Sequence, residues 1–223
     1  MTDTLSPVVG DDERMPEGWG AGSWRITGHS EVPGWLLIPA DPGNRDEWVA
    51  GRADEIRAAW GEHWDDRWHE TVPALLSAGL DARPAEAALA FQIWPVPAPL
   101  LAQVSVFFGE RPAVLPEELA AGDRYVADGL GAGVALVRTV DDPVTGATLV
   151  GWELSFFGEE TLVVVRFEPT VAELFGMLVG QFHAFVHTLE FLDPEGLPVV
   201  ASVPADLPAA RTDEDWAEGA SAP

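Results

Sequence analysis

The chain has 223 residues, with 37 Asp and Glu against 12 basic residues, all of them arginine, for a formal net charge of −25. It contains no lysine and no cysteine. That excludes a phosphate-loop lysine, a Schiff base, a Ser–Lys dyad, a thiol nucleophile, a disulfide, an iron–sulfur cluster and any Cys-based zinc site.

The same charge repels phosphate backbones and anionic lipid, so neither nucleic acid nor a membrane is an expected partner. A basic protein patch, a cation and a neutral small ligand stay open. Apolar residues make up 47% of the chain, enough for a sizeable core. Ten tryptophans stand against one tyrosine. No basic and apolar targeting segment opens the sequence, and the most apolar stretch, 174–189, is too short and too polar to span a bilayer. A cytoplasmic protein is expected.

Residues 1–21 are rich in Gly, Pro, Asp and Glu and read as a flexible acidic leader. Residues 22–204 read as a single α+β domain, and 205–223 as an acidic tail carrying Trp216. Within the domain, the apolar run 34–39 reads as a strand ending at Pro39. Asn44 is an expected N-cap, with Asp46 and Glu47 in the first turn of a helix over 45–60. Trp48, Arg52, Ile56, Trp60, Trp64 and Trp68 recur every four residues, so the helical stripe is expected to run on past Gly61 until Pro73 disturbs it. Leu75, Leu76 and Leu80 then give a second helical piece closed by Gly79 as a C-cap.

Strands are expected at 87–93 and 101–108, separated by Pro95, Pro97 and Pro99, and at 134–140, entered through Gly129, Gly131 and Gly133. Residues 148–157 and 161–167 flank Gly158-Glu159-Glu160 as a hairpin. Its second arm is apolar on both faces and is expected at the sheet centre. Thr170-Val171-Ala172-Glu173 fits a capping box for a long C-terminal helix reaching Leu192. Val171, Leu174, Phe175, Leu178, Phe182, Phe185, Leu189 and Leu192 line one face of it. The opposite face carries Gly176, Gly180 and Ala184, four apart. Two mid-helix glycines cost about 1 kcal/mol each against alanine, so this face is expected to admit a close neighbour, either another segment or a second subunit in a homodimer.

One short echo runs through the strands. Residues 104–110 end in Phe107-Phe108-Gly109-Glu110 and residues 154–159 end in Phe156-Phe157-Gly158-Glu159. Both sit where a strand meets a turn, and shared turn chemistry accounts for them.

Candidate chemistry is sparse. His183 and His187 are one helical turn apart, with Glu190 three residues on, and His63 and His69 form a second cluster in 62–70. If the clusters meet, they supply three or four metal ligands, although HxxxH alone is a nonspecific pattern. Trp60, Trp64 and Trp68 read first as core and, as an alternative, as an aromatic platform beside carboxylates. The glycine-rich runs 18–22 and 129–133 do not link a strand to a helix as a dinucleotide loop must. No GxSxG occurs. No catalytic residue is assigned and no cofactor is expected.

The run Phe182-His183-Ala184-Phe185-Val186-His187-Thr188-Leu189-Glu190-Phe191 resembles the closing helix of the Mog1/PsbP/LpqN-like proteins. Val32-Pro33-Gly34-Trp35 with Pro39 resembles their opening segment. The chain is also similar to actinobacterial proteins of unknown role. The family resemblance implies an α/β sandwich and a usually non-enzymatic, accessory or binding role. The long Trp-rich segment 44–79 departs from the family's pattern.

The expected architecture is an antiparallel sheet packed against a long C-terminal helix, with an N-terminal helical segment over the remaining apolar surface. The expected function is a non-catalytic accessory or protein-binding domain whose acidic, Trp-rich surface engages a basic partner. Its contact residues are expected among Trp60, Trp64, Trp68, Gly176, Gly180, Ala184 and Trp216. The alternative is a metal-dependent hydrolase or metal-binding protein using His183 and His187 with His63, His69 or Glu190.

Overall fold

The computed structural model describes residues 22–28, 34–143, 145–205 and 207. The leader over 1–21 and nearly all of the 205–223 tail, Trp216 included, lie outside the described residues. In chain order the described elements are β1 (Arg25–Thr27), β2 (Trp35–Leu37), α1 (Arg45–Trp60), α2 (Thr71–Ala82), β3 (Leu89–Ile93), β4 (Ala102–Glu110), β5 (Asp123–Ala127), β6 (Gly131–Asp141), β7 (Thr148–Phe157), β8 (Thr161–Val171), α3 (Ala172–His187) and β9 (Glu190–Leu192).

Seven strands form one antiparallel sheet in the order β2-β3-β4-β8-β7-β6-β5, and β1 pairs with β9 beside it. The fold is α+β. Strand β8 is apolar on successive residues and takes the central place, with β4 on one side and β7 on the other. Adjacent strand residues point to opposite faces, and β2 shows what covers each. Trp35 meets Phe185 of α3 at 4.7 Å between ring centroids. Its neighbour Leu36 joins Ile56, Trp60, Val72 and Leu76 of α1 and α2. Helix α3 therefore covers one face, and α1 with α2 covers the β2–β3 end of the other.

The far end of that second face is closed by a 3₁₀ turn at Glu117–Ala121, where Leu119 packs with Val134, Leu136 and Phe157. Between the two covers runs a polar ladder. Glu153 of β7, with a side chain only 12% exposed, receives Arg138 at 2.8 Å and Arg166 at 2.9 Å. Arg138 also reaches Glu118 at 2.8 Å, and the Arg166 guanidinium lies 5.3 Å from the Phe107 ring centroid. A half-buried carboxylate with two guanidinium partners is satisfied without a helix above it.

Helix α1 starts as the sequence indicates: Asn44 accepts the Glu47 N–H at 3.3 Å. It does not run on past Gly61, which has φ +51° and donates its N–H to the Arg57 carbonyl. Trp64 and Trp68 come instead from the 3₁₀ turns Gly61–His63 and Asp66–Trp68 and their flanks. The four-residue spacing is real, but two tight turns satisfy it as well as a helix does. Pro73 sits in the first turn of α2, where a missing N–H costs nothing. Gly79 is not a C-cap, because α2 continues to Ala82. A Cβ at Gly79 would collide with the Gln92 side-chain amide, which donates to the Leu75 carbonyl at 2.9 Å.

The long C-terminal helix is shorter at both ends than its periodicity implies. Thr170 and Val171 pair with Val150 and Leu149 as the end of β8, so the capping box is not formed and no side chain caps α3. The helix stops at His187, and both the N–H and the hydroxyl of Thr188 bond the Phe185 carbonyl at 2.9 and 2.8 Å. Glu190–Leu192 then becomes β9. A helix through 192 would bury Leu192 and turn Phe191 outward, whereas the strand period buries Leu189 and Phe191 together. The strands β1, β5 and β9 have three, five and three residues and, unlike the apolar runs that mark β2 and β3, each mixes charged with apolar residues and leaves no strand signal.

Space around the glycines separates two roles. Among the described residues, nothing lies within 4 Å of a Cβ built at Gly176 or Gly180. Gly176→Ala and Gly180→Ala are each expected to raise unfolding free energy by about 0.5–1 kcal/mol through helix propensity. Gly79→Ala is expected to lower it by about 1–3 kcal/mol despite the same propensity gain, because overpacking outweighs it. Urea unfolding of the three variants checks all three signs.

Candidate functional site

The histidines of α3 stand beside the sheet edge. Tyr125 of β5 is buried to 9% exposure, while His183 and His187 lie on the exposed side of α3. The Tyr125 hydroxyl and His183 Nδ1 share a hydrogen bond of 3.0 Å, its direction set by the imidazole tautomer. The two rings stack with centroids 5.5 Å apart, and Trp152 meets His183 edge-on at 4.8 Å. His187 Nδ1 lies 3.2 Å from the exposed Asp128 carboxylate. Burial, with the Asp128 charge adding to it, pushes the Tyr125 phenol up to about 12. Burial first and the neighbouring His187 second lower the pKa of His183, which favours its neutral form.

The other sequence-derived ligands are not brought to this pair. His63 and His69 are exposed on the α1–α2 connection, on the opposite side of the sheet from α3. Glu190 is exposed on β9 rather than one turn on along the helix. Among the described residues no group of three or more His, Cys, Asp or Glu side chains is arranged to hold a metal ion.

The tryptophan stripe packs inward. Trp60 is core, with Trp64, Trp68 and Trp94 at 5.7, 5.4 and 6.0 Å from it between ring centroids. The half-buried Trp64 already has the Arg57 guanidinium 5.8 Å from its centroid. This group joins α1, α2 and β3 rather than forming an open platform. Gly176, Gly180 and Ala184 form an exposed strip on α3, and among the described residues no element lies against the glycines.

A concave site lies elsewhere, and the short echo builds it. Phe107-Phe108-Gly109-Glu110 ends β4, and Phe156-Phe157-Gly158-Glu159 runs out of β7 into the hairpin. Both flank the start of β8, one residue out of step: Phe108 and Phe156 each stand opposite Val163. The slip keeps Phe108 and Phe156 on the α3 side of the sheet and Phe107 and Phe157 on the other. It also brings both glutamates to one end of the sheet, where Glu110 stands opposite Thr161.

There a cleft of about 730 Å³ opens between Trp24, Phe108 and Phe191 and the carboxylate-bearing residues Glu110, Glu159 and Glu160. Trp24 is 40% exposed and stacks on Phe191 at 5.2 Å and 18° between planes. Phe108 meets Phe191 at 5.3 Å. Arg111 also lines the cleft. Its main chain donates to the Glu160 carbonyl at 2.8 Å, its guanidinium donates to the Gly158 carbonyl at 3.2 Å, and it lies 5.9 Å from the Phe157 ring centroid. Among the described residues, none of the three glutamate side chains has a salt bridge. The repeated Phe-Phe-Gly-Glu was the sequence signal for this site, but its two halves carry no sign of meeting until the strand order is known.

Comparison with protein-family models, with curated proteins and with solved structures finds no match for the chain. Among the described residues no helix is long and apolar enough to cross a membrane.

Tyr125 is the one tyrosine of the chain, so phenolate absorbance reports it alone. A phenol whose folded pKa is raised contributes stability below the unfolded value of about 10. That contribution is lost as pH rises through the folded value. The expected titration shows no phenolate step near pH 10 and ionisation only near 12 or on unfolding. A midpoint near 10 in the folded protein contradicts the buried Tyr125–His183 contact. His183 acts with the opposite sign. Its lowered pKa contributes stability above the unfolded histidine value of about 6.5, lost as pH falls below it. His183→Gln should flatten the fall in urea midpoint on acidification through that range.

Proposed function

We propose that the protein is a non-catalytic accessory or binding protein that engages a basic protein partner. The observation that carries this reading is the cleft at the Phe-Phe-Gly-Glu ends, whose lining joins Trp24, Phe108 and Phe191 to Glu110, Glu159 and Glu160. Three glutamates with no salt bridge among the described residues, beside an apolar surface, form a site whose charge a basic side chain would complete. The net charge of −25 adds long-range attraction for such a partner. The tryptophan of this surface is Trp24, rather than Trp60, Trp64 or Trp68. The resemblance to the Mog1/PsbP/LpqN-like proteins, with their usually accessory roles, points the same way, and a cytoplasmic location goes with it.

A second reading, metal binding at His183 and His187, draws on one observation. Each Nδ1 is engaged, by the Tyr125 hydroxyl or the Asp128 carboxylate, and metal-bound imidazoles commonly hold their second nitrogen this way. Zn²⁺ titration calorimetry decides it. Stoichiometric binding lost in His183→Ala supports it, and no heat in the wild type removes it. The hydrolase form of this reading has no third ligand among the described residues. Self-association on the Gly176, Gly180 and Ala184 face remains part of the proposal, and a monomer in light scattering at high concentration removes that part.

The binding role is tested by capture from native extract at low and high salt with two neutralised proteins. One carries Glu110→Gln, Glu159→Gln and Glu160→Gln. The other carries Glu62→Gln, Glu86→Gln and Glu195→Gln, all exposed and outside the cleft lining. A basic partner released at high salt should be retained by the second protein and reduced at least tenfold by the first. Equal retention by both would mean that bulk charge, not this cleft, holds the partner.

A further inference from the structure

We infer that the anchor seated in this cleft is an arginine side chain of the partner, with its guanidinium laid on Trp24 and bridged to the glutamates around β8. The inference rests on the binding role proposed above and names the chemistry that the cleft selects.

The lining combines two features that different cations use unequally. An ammonium is a compact, strongly hydrated charge, and carboxylates alone serve it. A guanidinium is planar, less strongly hydrated and able to stack on an aromatic face while donating paired hydrogen bonds to carboxylates. Trp24 supplies the face. It is exposed, it lines the cleft, and its stack on Phe191 fixes its plane. Tryptophan is also the strongest aromatic partner for a cation.

Glu110 comes from the β4 side of β8 and Glu159 and Glu160 from the turn that joins β7 to β8, so the three residues reach the cleft lining from separate strand ends. Arg111 does not fill the role itself. It is tied to the Gly158 carbonyl beside Phe157, which lies on the sheet face opposite Phe108. A bare metal ion fits less well, since no three ligating side chains converge among the described residues. The cleft volume of about 730 Å³ admits a long side chain together with flanking backbone.

The probes are three fluorescent peptides of Gly and Ser carrying two arginines, two lysines or two citrullines, read by polarisation at physiological ionic strength. Citrulline keeps the shape of arginine and removes its charge. The arginine peptide should bind at least tenfold tighter than the citrulline peptide and about threefold or more tighter than the lysine peptide. Trp24→Ala should bring arginine down to the lysine level, and Trp24→Phe should restore part of the difference. The Glu110/Glu159/Glu160→Gln protein should weaken arginine and lysine peptides alike. The Phe variant keeps an aromatic partner for Phe191, so it guards against a folding defect in the Ala variant. Equal binding of arginine and lysine by the wild type, or a preference that survives Trp24→Ala, overturns the arginine anchor and leaves the binding role standing. If neither basic peptide binds in a way that depends on the three glutamates, both fall.

Discussion

The contact on which the molecule depends is the stack of Phe182 on Phe167, at 3.8 Å between ring centroids and 27° between planes. Phe167 belongs to β8, the strand between β4 and β7, and Phe182 is the midpoint of the apolar face of α3. Because α3 follows β8 directly, the chain must fold back over the strand it has just made. Leu174, Leu178, Phe182, Phe185 and Val186 are all buried by that return. At about 1.5–3 kcal/mol for each large apolar side chain removed from water, this face supplies a large share of what stabilises the sheet. Once it is in place, one side of the sheet is closed and the rest of the chain must cover the other.

The second side is covered unevenly, and the unevenness follows from residue types. Leu36, Ala90 and Trp94 draw α1 and α2 onto one end, where Arg45 further ties the helices together through Asp81 at 2.6 Å. Val134, Leu136 and Phe157 draw Leu119 onto the other. The strip between holds Arg138, Glu153 and Arg166, which satisfy one another and need no helix above them. Among the described residues, no helix is placed over the sheet ends as helices are over the faces. At one such end β8 begins, β4 and β7 finish, and the short β1–β9 pair brings Trp24 alongside. The cleft is thus a product of the topology, and its acidity comes from the glutamates that terminate the two similar strands.

Much of this was legible in the sequence. The Asn44 cap, the 148–157 arm, the 161–167 arm and the doubly apolar character of β8 are local signals, and each formed where its pattern lies, although β8 runs on to Val171 through residues that read as a helix cap. The failures share one cause: a local pattern compatible with two structures, decided by contacts far away in the chain. The Trp60, Trp64, Trp68 spacing suits a helix or a pair of tight turns, and Gly61 selects the turns. Residues 188–192 suit a last helical turn or a strand, and pairing with 25–27 selects the strand. Gly79 reads as a stop until Gln92 is seen against it. The site was less legible than the fold for the same reason. His183 and His187 were visible, but Tyr125 and Asp128 come from another strand. Phe-Phe-Gly-Glu was visible twice, but nothing local says that both copies border one strand.

On the proposed binding role, this acidic, lysine-free protein concentrates its recognition at one sheet end rather than over its whole surface. The most direct measurement is a chemical-shift map of ¹⁵N-labelled protein titrated with an arginine-bearing peptide. The perturbed signals are expected to be the Trp24 indole and the amides of Gly109, Glu110, Gly158, Glu159 and Thr161, with α1, α2 and the exposed side of α3 unchanged. Perturbations spread over the acidic surface, or centred on α1 and α2, would contradict it.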